Sequence, residues 1–255
     1  MKKTIQDKLK QIEQEQNITI LHAVESGSRA WGFPSKDSDY DVRFIYKRPP
    51  EWYLRLEKTK DSLEFPINDE LDISGWDLDK TLVLLRKTNP SLVEWLNSPI
   101  VYAQDDKFIA EIRELYETHI NEKALIFHYL HMAEGNYRGY LTGKFVKIKK
   151  YFYVIRPLLA CLWVATYHEK PPVAFEKLLT LPHLSKAFLD EVESLLVRKK
   201  AGDELDLEQA IPVINQFITE KLSYFSDYAN EANEHESLPY EKLNAFFLEW
   251  IGFER

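Results

Sequence analysis

The chain has little cysteine, little glycine and no long apolar run. Its 255 residues include one cysteine, Cys161, so no disulfide can form within the chain. Its 8 glycines and 12 prolines are too few for a fibrous or low-complexity protein. No apolar stretch reaches the length that spans a bilayer, and the N-terminal residues lack the apolar segment of a secretory signal. These absences favour a globular protein of the reducing cytoplasm, with no membrane partner.

The chain carries more acidic than basic residues, and its net charge is -8. An acidic chain is not drawn non-specifically to nucleic acid, so binding of RNA requires a local basic surface. Hydrophobic residues make up 45% of the chain, which is enough for two ordinary cores at this length. RNA stays open as a partner, and nothing in the composition indicates an oligomeric state.

The spacing of apolar residues changes near residue 120. Before it, short β-branched and aromatic runs alternate with helical stretches, and after it almost all the spacing is helical. Strands are predicted at 19–25, 40–46, 71–76 and 99–103, and helices at 4–16, 206–228 and 240–250. We therefore expect an α+β protein, with a mixed sheet in a domain over 1–120 and a helical domain over 121–255.

Acidic residues lie on two of the predicted strands. Asp39 and Asp41 are two residues apart, so they project to the same face of a strand. Asp72, between Leu71 and Ile73, faces away from an apolar surface in the same manner. Neighbouring carboxylates repel each other, and a divalent cation between them removes the conflict. Oxygen ligands select Mg²⁺ or Mn²⁺, and three carboxylates suffice for the two ions used in phosphoryl transfer.

A second motif, Gly27-Ser28-Arg29, follows the first predicted strand. A glycine at a strand end lets the backbone approach a phosphate closely. The backbone N–H groups of the next turn, the Ser28 hydroxyl and the Arg29 guanidinium are suited to bind the same anion. The alternative is a strand–turn–strand unit whose turn acids are merely solvated.

These motifs together resemble the DNA polymerase β nucleotidyltransferase superfamily, whose signature is Gly-Ser, then Asp-x-Asp, then an isolated strand acid. The strings Glu25-Ser-Gly-Ser-Arg-Ala-Trp-Gly-Phe33 and Asp37-Ser-Asp-Tyr-Asp-Val-Arg-Phe-Ile-Tyr46 are similar to the predicted nucleotidyltransferases associated with RNA ligases. The resemblance implies a nucleotidyltransferase domain over 1–120, a nucleoside triphosphate substrate, and catalysis by Asp39, Asp41 and Asp72. It does not imply the acceptor, which in the superfamily is an RNA end, a protein or a small molecule.

Residues 138–156 carry six cations, no acid and several interleaved aromatic residues. The functional interpretation is a surface of the helical domain that binds triphosphate, or stacks a base or an RNA strand, through Lys149, Lys150 and Arg156. Lys149 and Arg156 are seven residues apart and are expected to share a helical face. The alternative is an amphipathic helix with solvated lysines.

The leading hypothesis is therefore an enzyme that transfers a nucleoside monophosphate from a triphosphate to a hydroxyl, with the helical domain forming part of the nucleotide cleft. A second hypothesis is a non-catalytic nucleotide- or RNA-binding module of the same fold. A third is a protein-binding partner of the toxin–antitoxin type. The complete set of three acids favours the enzyme over the binding module, and the large helical domain is unlike the small modules of the third class.

Overall fold

A computed structural model describes residues 1–57, 59–66, 70–117, 119–202, 207–231 and 237–253. In chain order the helices are α1 (Lys2–Gln16), α2 (Gly27–Trp31), α3 (Pro50–Tyr53), α4 (Leu78–Arg86), α5 (Pro90–Leu96), α6 (Asp106–Glu117), α7 (Glu122–Tyr140), α8 (Phe152–Tyr167), α9 (Phe175–Leu178), α10 (Lys186–Ala201), α11 (Pro212–Glu231) and α12 (Tyr240–Ile251), with a 3-10 helix at Ile148–Tyr151. The strands are β1 (Thr19–Glu25), β2 (Tyr40–Lys47), β3 (Ser62–Glu64), β4 (Leu71–Asp77), β5 (Val101–Gln104), β6 (Phe145–Lys147) and β7 (Leu207–Gln209). None of the helices in these ranges combines the length and the apolar character needed to cross a membrane.

The chain divides into two compact units. The first contains residues 1–30, 39–119 and the described part of the C-terminus, and the second contains residues 31–38 and the described part of 120–235. The spacing of apolar residues predicts a boundary at residue 120 and a C-terminal segment that belongs to the helical domain. In the structure, residues 237–253 belong to the first unit.

The first unit is built on a five-stranded sheet of order β3-β4-β2-β1-β5. β2 pairs in parallel with β4, and the pairs β1–β2, β1–β5 and β3–β4 are antiparallel. The sheet is therefore mixed, and the predicted α+β class is confirmed. The predicted edge strand at 99–103 exists as β5, whereas β3 was not predicted because three residues leave too short a pattern to recognise.

Alternation along β2 separates a core face from a polar face. Val42, Phe44 and Tyr46 are buried and pack in one cluster with the apolar side of α1. The other face carries Asp41, Arg43 and Ile45, since successive side chains of a strand point to opposite faces. The apolar stripe of α1 thus anchors β2, and the sheet presents its charged side chains on the far side from α1.

β4 fits against β2 because of a glycine. Gly75 is the register partner of Phe44, and a Cβ atom on Gly75 would lie 2.2 Å from the Phe44 ring. The absence of a side chain at Gly75 leaves the space that the Phe44 ring occupies. The parallel register that follows pairs Asp41 with Asp72.

The last helix is tied to the first unit by polar contacts. The Lys47 ammonium donates to the Trp250 carbonyl at 2.6 Å, and the Trp250 indole N–H donates to a Glu111 carboxylate oxygen at 2.9 Å. The Trp250 ring also meets the Phe108 ring edge to face, with centroids 5.0 Å apart. A helical pattern in the sequence gives no sign of which unit the helix joins.

The second unit is mostly helical, with one small exception. β6 and β7 form a two-stranded antiparallel sheet. The expectation of a single helix over 206–228 is wrong for residues 207–209, which form β7; Asp206 lies outside the described residues. The helix α11 begins instead at Pro212, which lacks an N–H group and suits a first helical position. Helical periodicity cannot detect a short strand whose partner is about 60 residues away in the sequence.

A buried histidine lies in the core of the first unit. His22 on β1 is 1% exposed, and its Nε2 donates to the Trp95 carbonyl at 3.1 Å. Burial, aided by the positive charge of Arg113, lowers the pKa of His22 to about 4. The folded protein therefore holds this imidazole neutral at pH values where an unfolded chain would protonate it.

We predict that His22 makes the protein less stable as the pH falls. Its pKa is lowered on folding, so its contribution is fully present above 6.5 and is lost between 6.5 and about 4, which corresponds to about 3 kcal/mol. In His22→Gln, the free energy of unfolding from urea titrations should fall less between pH 7 and pH 4 than in the parent. His131→Gln, on the exposed side of α7, is the matched control. Parallel pH profiles for parent and His22→Gln would contradict the prediction.

Candidate active site

The turn between β1 and α2 lies against a carboxylate. Gly27 opens α2 with a φ of 58°, a left-handed conformation that favours glycine. A Cβ atom at Gly27 would lie 2.1 Å from Oδ2 of Asp41. The Ser26 amide also donates to the Asp41 carbonyl at 2.8 Å. The predicted glycine is thus required both by backbone conformation and by the close approach of Asp41.

Two of the three predicted acids are neighbours on the parallel strands. Asp41 on β2 and Asp72 on β4 are register partners, so their side chains share one face of the sheet. Arg43 lies between them: its Nη2 donates to Asp41 Oδ1 at 3.2 Å and to Asp72 Oδ2 at 2.7 Å. Its Nη1 donates to the Asp72 carbonyl at 2.9 Å. One guanidinium therefore forms ion pairs with both carboxylates and offsets one of their two negative charges.

The electrostatics of Asp41 reflect this crowding. Its side chain is 29% exposed, and burial is the main cause that raises its pKa above the usual value. Arg43 acts in the opposite direction, while the charges of Asp72 and Asp39 raise the pKa further. The ionised form of Asp41 is thus disfavoured on balance, despite its ion pair.

Asp39 is held differently from the other two acids. It precedes β2 and is exposed, and its backbone carbonyl accepts a hydrogen bond from Arg29 Nε at 3.2 Å. The Arg29 guanidinium lies over the Tyr40 ring, 3.7 Å from its centroid. Within the described ranges, no three His, Cys, Asp or Glu side chains lie close enough to hold one metal ion. The structure brings Asp41 and Asp72 together, whereas Asp39 acts on Asp41 through its charge.

A fourth acid, Glu25, contacts the backbone of Asp41. The sequence analysis did not predict it as a functional residue. It is fully buried at the end of β1, where its carboxylate accepts the Asp41 amide at 2.9 Å and the Tyr102 hydroxyl. Burial raises its pKa. The one available signal was a charged residue at the end of an otherwise apolar strand. Glu25 fixes the backbone of Asp41 relative to the Gly27 turn.

The carboxylate pair is chemically suited to a cation. Oxygens of Asp41 and Asp72 already converge on a single positive group, the Arg43 guanidinium. Hard oxygen donors of this type are the ligands that Mg²⁺ and Mn²⁺ select. Asp39 is close enough to raise the pKa of Asp41 through its charge. The donor chemistry of Asp41 and Asp72 therefore suits a divalent cation, and Asp39 carries the same type of donor.

The basic segment of the second unit differs from the expectation of one helix with a shared cationic face. Lys149 and Lys150 lie in the 3-10 helix, and α8 begins only at Phe152. Lys149 is exposed, but Arg156 is 2% exposed, and its guanidinium lies 4.4 Å from the centre of the Trp31 ring. The expectation that Lys149 and Arg156 share a helical face is therefore wrong. The change from a 3-10 helix to an α-helix alters the rotation per residue about the helix axis.

Comparison with known proteins gives a consistent family assignment. The chain matches the sequence profile described as the RNA repair pathway DNA polymerase beta family over residues 1–249. It is similar to an uncharacterized protein of Bacillus subtilis (strain 168), YcgL, at 47% identity over 251 residues, which cover 98% of this chain and 96% of that one. A crystal structure of a nucleotidyltransferase-like protein from Exiguobacterium sibiricum 255-15 overlaps with 9% identity and a TM-score of 0.31, over 90% of this chain and 81% of that one. An overlap this weak supports no further conclusion.

We predict that Gly27 tolerates no side chain. In Gly27→Ala, the methyl group meets the Asp41 carboxylate and the left-handed backbone is strained, so the free energy of unfolding should fall by about 1–2 kcal/mol or more. Gly135→Ala is the matched control, because Gly135 lies inside α7 with open space around its Cα. There the substitution should stabilise the protein by about 0.5–1 kcal/mol. Urea titration measures both, and equal effects would contradict the argument.

We also predict that Asp41 reduces stability at neutral pH. Folding raises its pKa, so the ionised carboxylate is disfavoured in the folded state at pH values above that pKa. Asp41→Asn should therefore raise the melting temperature at pH 7, and the gain should shrink as the pH falls and the parent carboxyl becomes protonated. Asp7→Asn, on the exposed side of α1, is the control. A lower melting temperature for Asp41→Asn at pH 7 would mean that the ion pair with Arg43 outweighs burial.

Proposed function

Because the chain belongs to the RNA repair pathway DNA polymerase beta family, we propose that it is a nucleotidyltransferase that moves a nucleoside monophosphate from a nucleoside triphosphate to a hydroxyl acceptor. The observation that carries the proposal is the convergence of Asp41 and Asp72 on one face of the sheet, with the Asp41 carboxylate against the Gly27 turn. A carboxylate pair beside a glycine turn joins a site for cations to a site for phosphate.

The carboxylates define where cations would be held. Asp39, Asp41 and Asp72 are the residues that would hold Mg²⁺ or Mn²⁺, two ions in the full mechanism. The bound ions supply charge neutralisation for the triphosphate. Arg43 forms ion pairs with two of these carboxylates and partly offsets the rise that burial causes in the pKa of Asp41.

The residues around the turn bind and orient the triphosphate. Gly27 leaves the backbone accessible, the Ser28 hydroxyl donates to a phosphate oxygen, and the Arg29 guanidinium adds positive charge. The acceptor oxygen then bonds to the α-phosphorus while the bond to pyrophosphate breaks. In this scheme Asp72 Oδ accepts the proton of the hydroxyl, as a general base.

The basic segment of the second unit is a second candidate for binding phosphate groups, either of a nucleotide or of an RNA strand. Lys149 and Lys150 are the residues we retain for binding phosphate, because their ammonium groups lie at or near the surface. Arg156 is buried against Trp31, so we assign it to orienting that ring rather than to direct contact with phosphate.

A reducing cytoplasm suits the protein. Cys161 is fully buried, and burial raises the pKa of its thiol. A thiol of that kind is unreactive, and it serves here as a small apolar side chain of α8.

One observation favours the non-catalytic alternative, a nucleotide- or RNA-binding module. Arg43 forms ion pairs with both Asp41 and Asp72, which engages the carboxylate oxygens that a cation would need. If these ion pairs persist when nucleotide binds, the site retains the triphosphate without transferring it. Transfer and binding assays separate the two functions.

We predict label transfer that depends on the carboxylates. The protein is incubated with Mg²⁺ or Mn²⁺, each α-labelled nucleoside triphosphate, and separate pools of RNA, protein and small metabolites. Label should enter one pool, and Asp41→Asn and Asp72→Asn should each lower the rate by about 100-fold or more. Asp39→Asn should act in the same direction.

The control is Asp7→Asn, and circular dichroism establishes that every variant is folded. Uptake of label at the parent rate by Asp41→Asn would exclude the proposed mechanism. Tight binding of triphosphate without uptake into any pool would favour the binding module.

A further inference from the structure

A basic aromatic surface lies on the second unit. We define it by Tyr140, Lys147, Lys149, Lys150 and Tyr153. The Lys150 ammonium lies 4.4 Å from the centre of the Tyr140 ring and 4.8 Å from that of Tyr153. Lys147 lies 5.8 Å from the Tyr140 ring. The ammonium groups of Lys147 and Lys150 thus lie beside the rings of Tyr140 and Tyr153.

The rings of this surface are open to solvent. Tyr140 is 41% exposed and Tyr153 is 42% exposed. Tyr153 also contacts the Trp31 ring edge to face, at 6.0 Å between centroids, which restrains its orientation. An exposed ring held by a neighbour provides a flat face for stacking at little cost in side-chain entropy.

The tertiary structure places a further lysine, Lys199, near Lys149 of the basic aromatic surface. Lys199, near the end of α10, is half-buried, and its pKa is lowered by burial and by the positive charge of Lys149. Both influences oppose its charged form. A bound anion would favour the charged form of both lysines, so the pair is suited to a phosphate group.

We propose that the basic aromatic surface binds a single-stranded polynucleotide. Such a strand presents phosphates at regular intervals together with unstacked bases, which match alternating ammonium groups and tyrosine rings. A mononucleotide offers a single base and therefore uses only one of the two exposed tyrosines. The chain as a whole has a net charge of -8, so attraction of a polyanion depends on such a local cluster.

If the protein is a nucleotidyltransferase as proposed above, the bound polynucleotide is its acceptor. That role as acceptor rests on the proposed function. Binding by the surface depends on its own residues and is measured without triphosphate or metal ions. A failure of nucleotidyl transfer therefore leaves the binding result intact, and a failure of binding leaves transfer to another acceptor intact.

The test is fluorescence anisotropy of the full chain with labelled 12-nucleotide oligouridine and oligothymidine. In the triple variant Lys147→Gln, Lys149→Gln, Lys150→Gln, affinity should fall about tenfold or more at 0.1 M salt. The slope of log affinity against log salt should become shallower by about 2, since each lost phosphate contact contributes about 0.7. The ratio of the two parent affinities identifies RNA or DNA as the preferred strand.

Two further variants make the test specific. Tyr140→Ala should weaken binding about tenfold without changing the salt slope, because it removes stacking and leaves charge intact. The triple control Lys3→Gln, Lys10→Gln, Lys177→Gln removes the same charge from exposed positions elsewhere and should bind like the parent.

Three outcomes would overturn the inference. Parent-like affinity in the Lys147, Lys149, Lys150 variant would show that the strand binds elsewhere. Equal affinity of the parent for a duplex of the same length would exclude stacking of bases. Complete displacement of the oligonucleotide by equimolar ATP would identify the surface as a mononucleotide site.

Discussion

The site depends on the repulsion between two half-buried carboxylates and on the cation that relieves it. Parallel pairing of β2 with β4 places Asp41 and Asp72 side by side, where their charges oppose each other. Arg43 lies two residues further along β2, on the same face, and forms ion pairs with both. The spacing Asp-x-Arg within one strand thus supplies the countercharge for an acid on the next strand. A ligand cation entering this site would compete with a guanidinium that belongs to the protein.

The backbone around these charges is held by a second layer of contacts. Glu25 is fully buried and accepts a hydrogen bond from the Asp41 amide, so an acid from β1 fixes the backbone of the strand that carries Asp41. Gly27 then allows the turn to pass within contact of the Asp41 carboxylate. The Gly27 turn and the carboxylate pair are therefore coupled: a shift of Asp41 displaces the turn, and a side chain at Gly27 displaces Asp41.

The second unit uses its cations in two different ways. Arg156 lies buried over Trp31, where its charge is matched to an aromatic face in the interior. Lys150 lies between exposed tyrosines, and Lys149 is close enough to Lys199 to affect its pKa. The segment read as a single basic stretch in the sequence is thus divided between the core and the surface. Only the exposed part is available to a polyanion.

The sequence by itself determined the strands that carry the acids, the glycine turn, the family and the α+β class. Strand alternation and turn chemistry act over a few residues, so local patterns such as Gly27-Ser28 and Asp39-x-Asp41 suffice to predict them. Tertiary structure decided which groups meet: the pairing of Asp41 with Asp72, the burial of Glu25 and Arg156, the approach of Lys199 to Lys149, and the attachment of α12 to the first unit. These contacts join residues tens of positions apart or more. Periodicity shows which face of an element is apolar, but the partner of that face is set by packing of the whole chain.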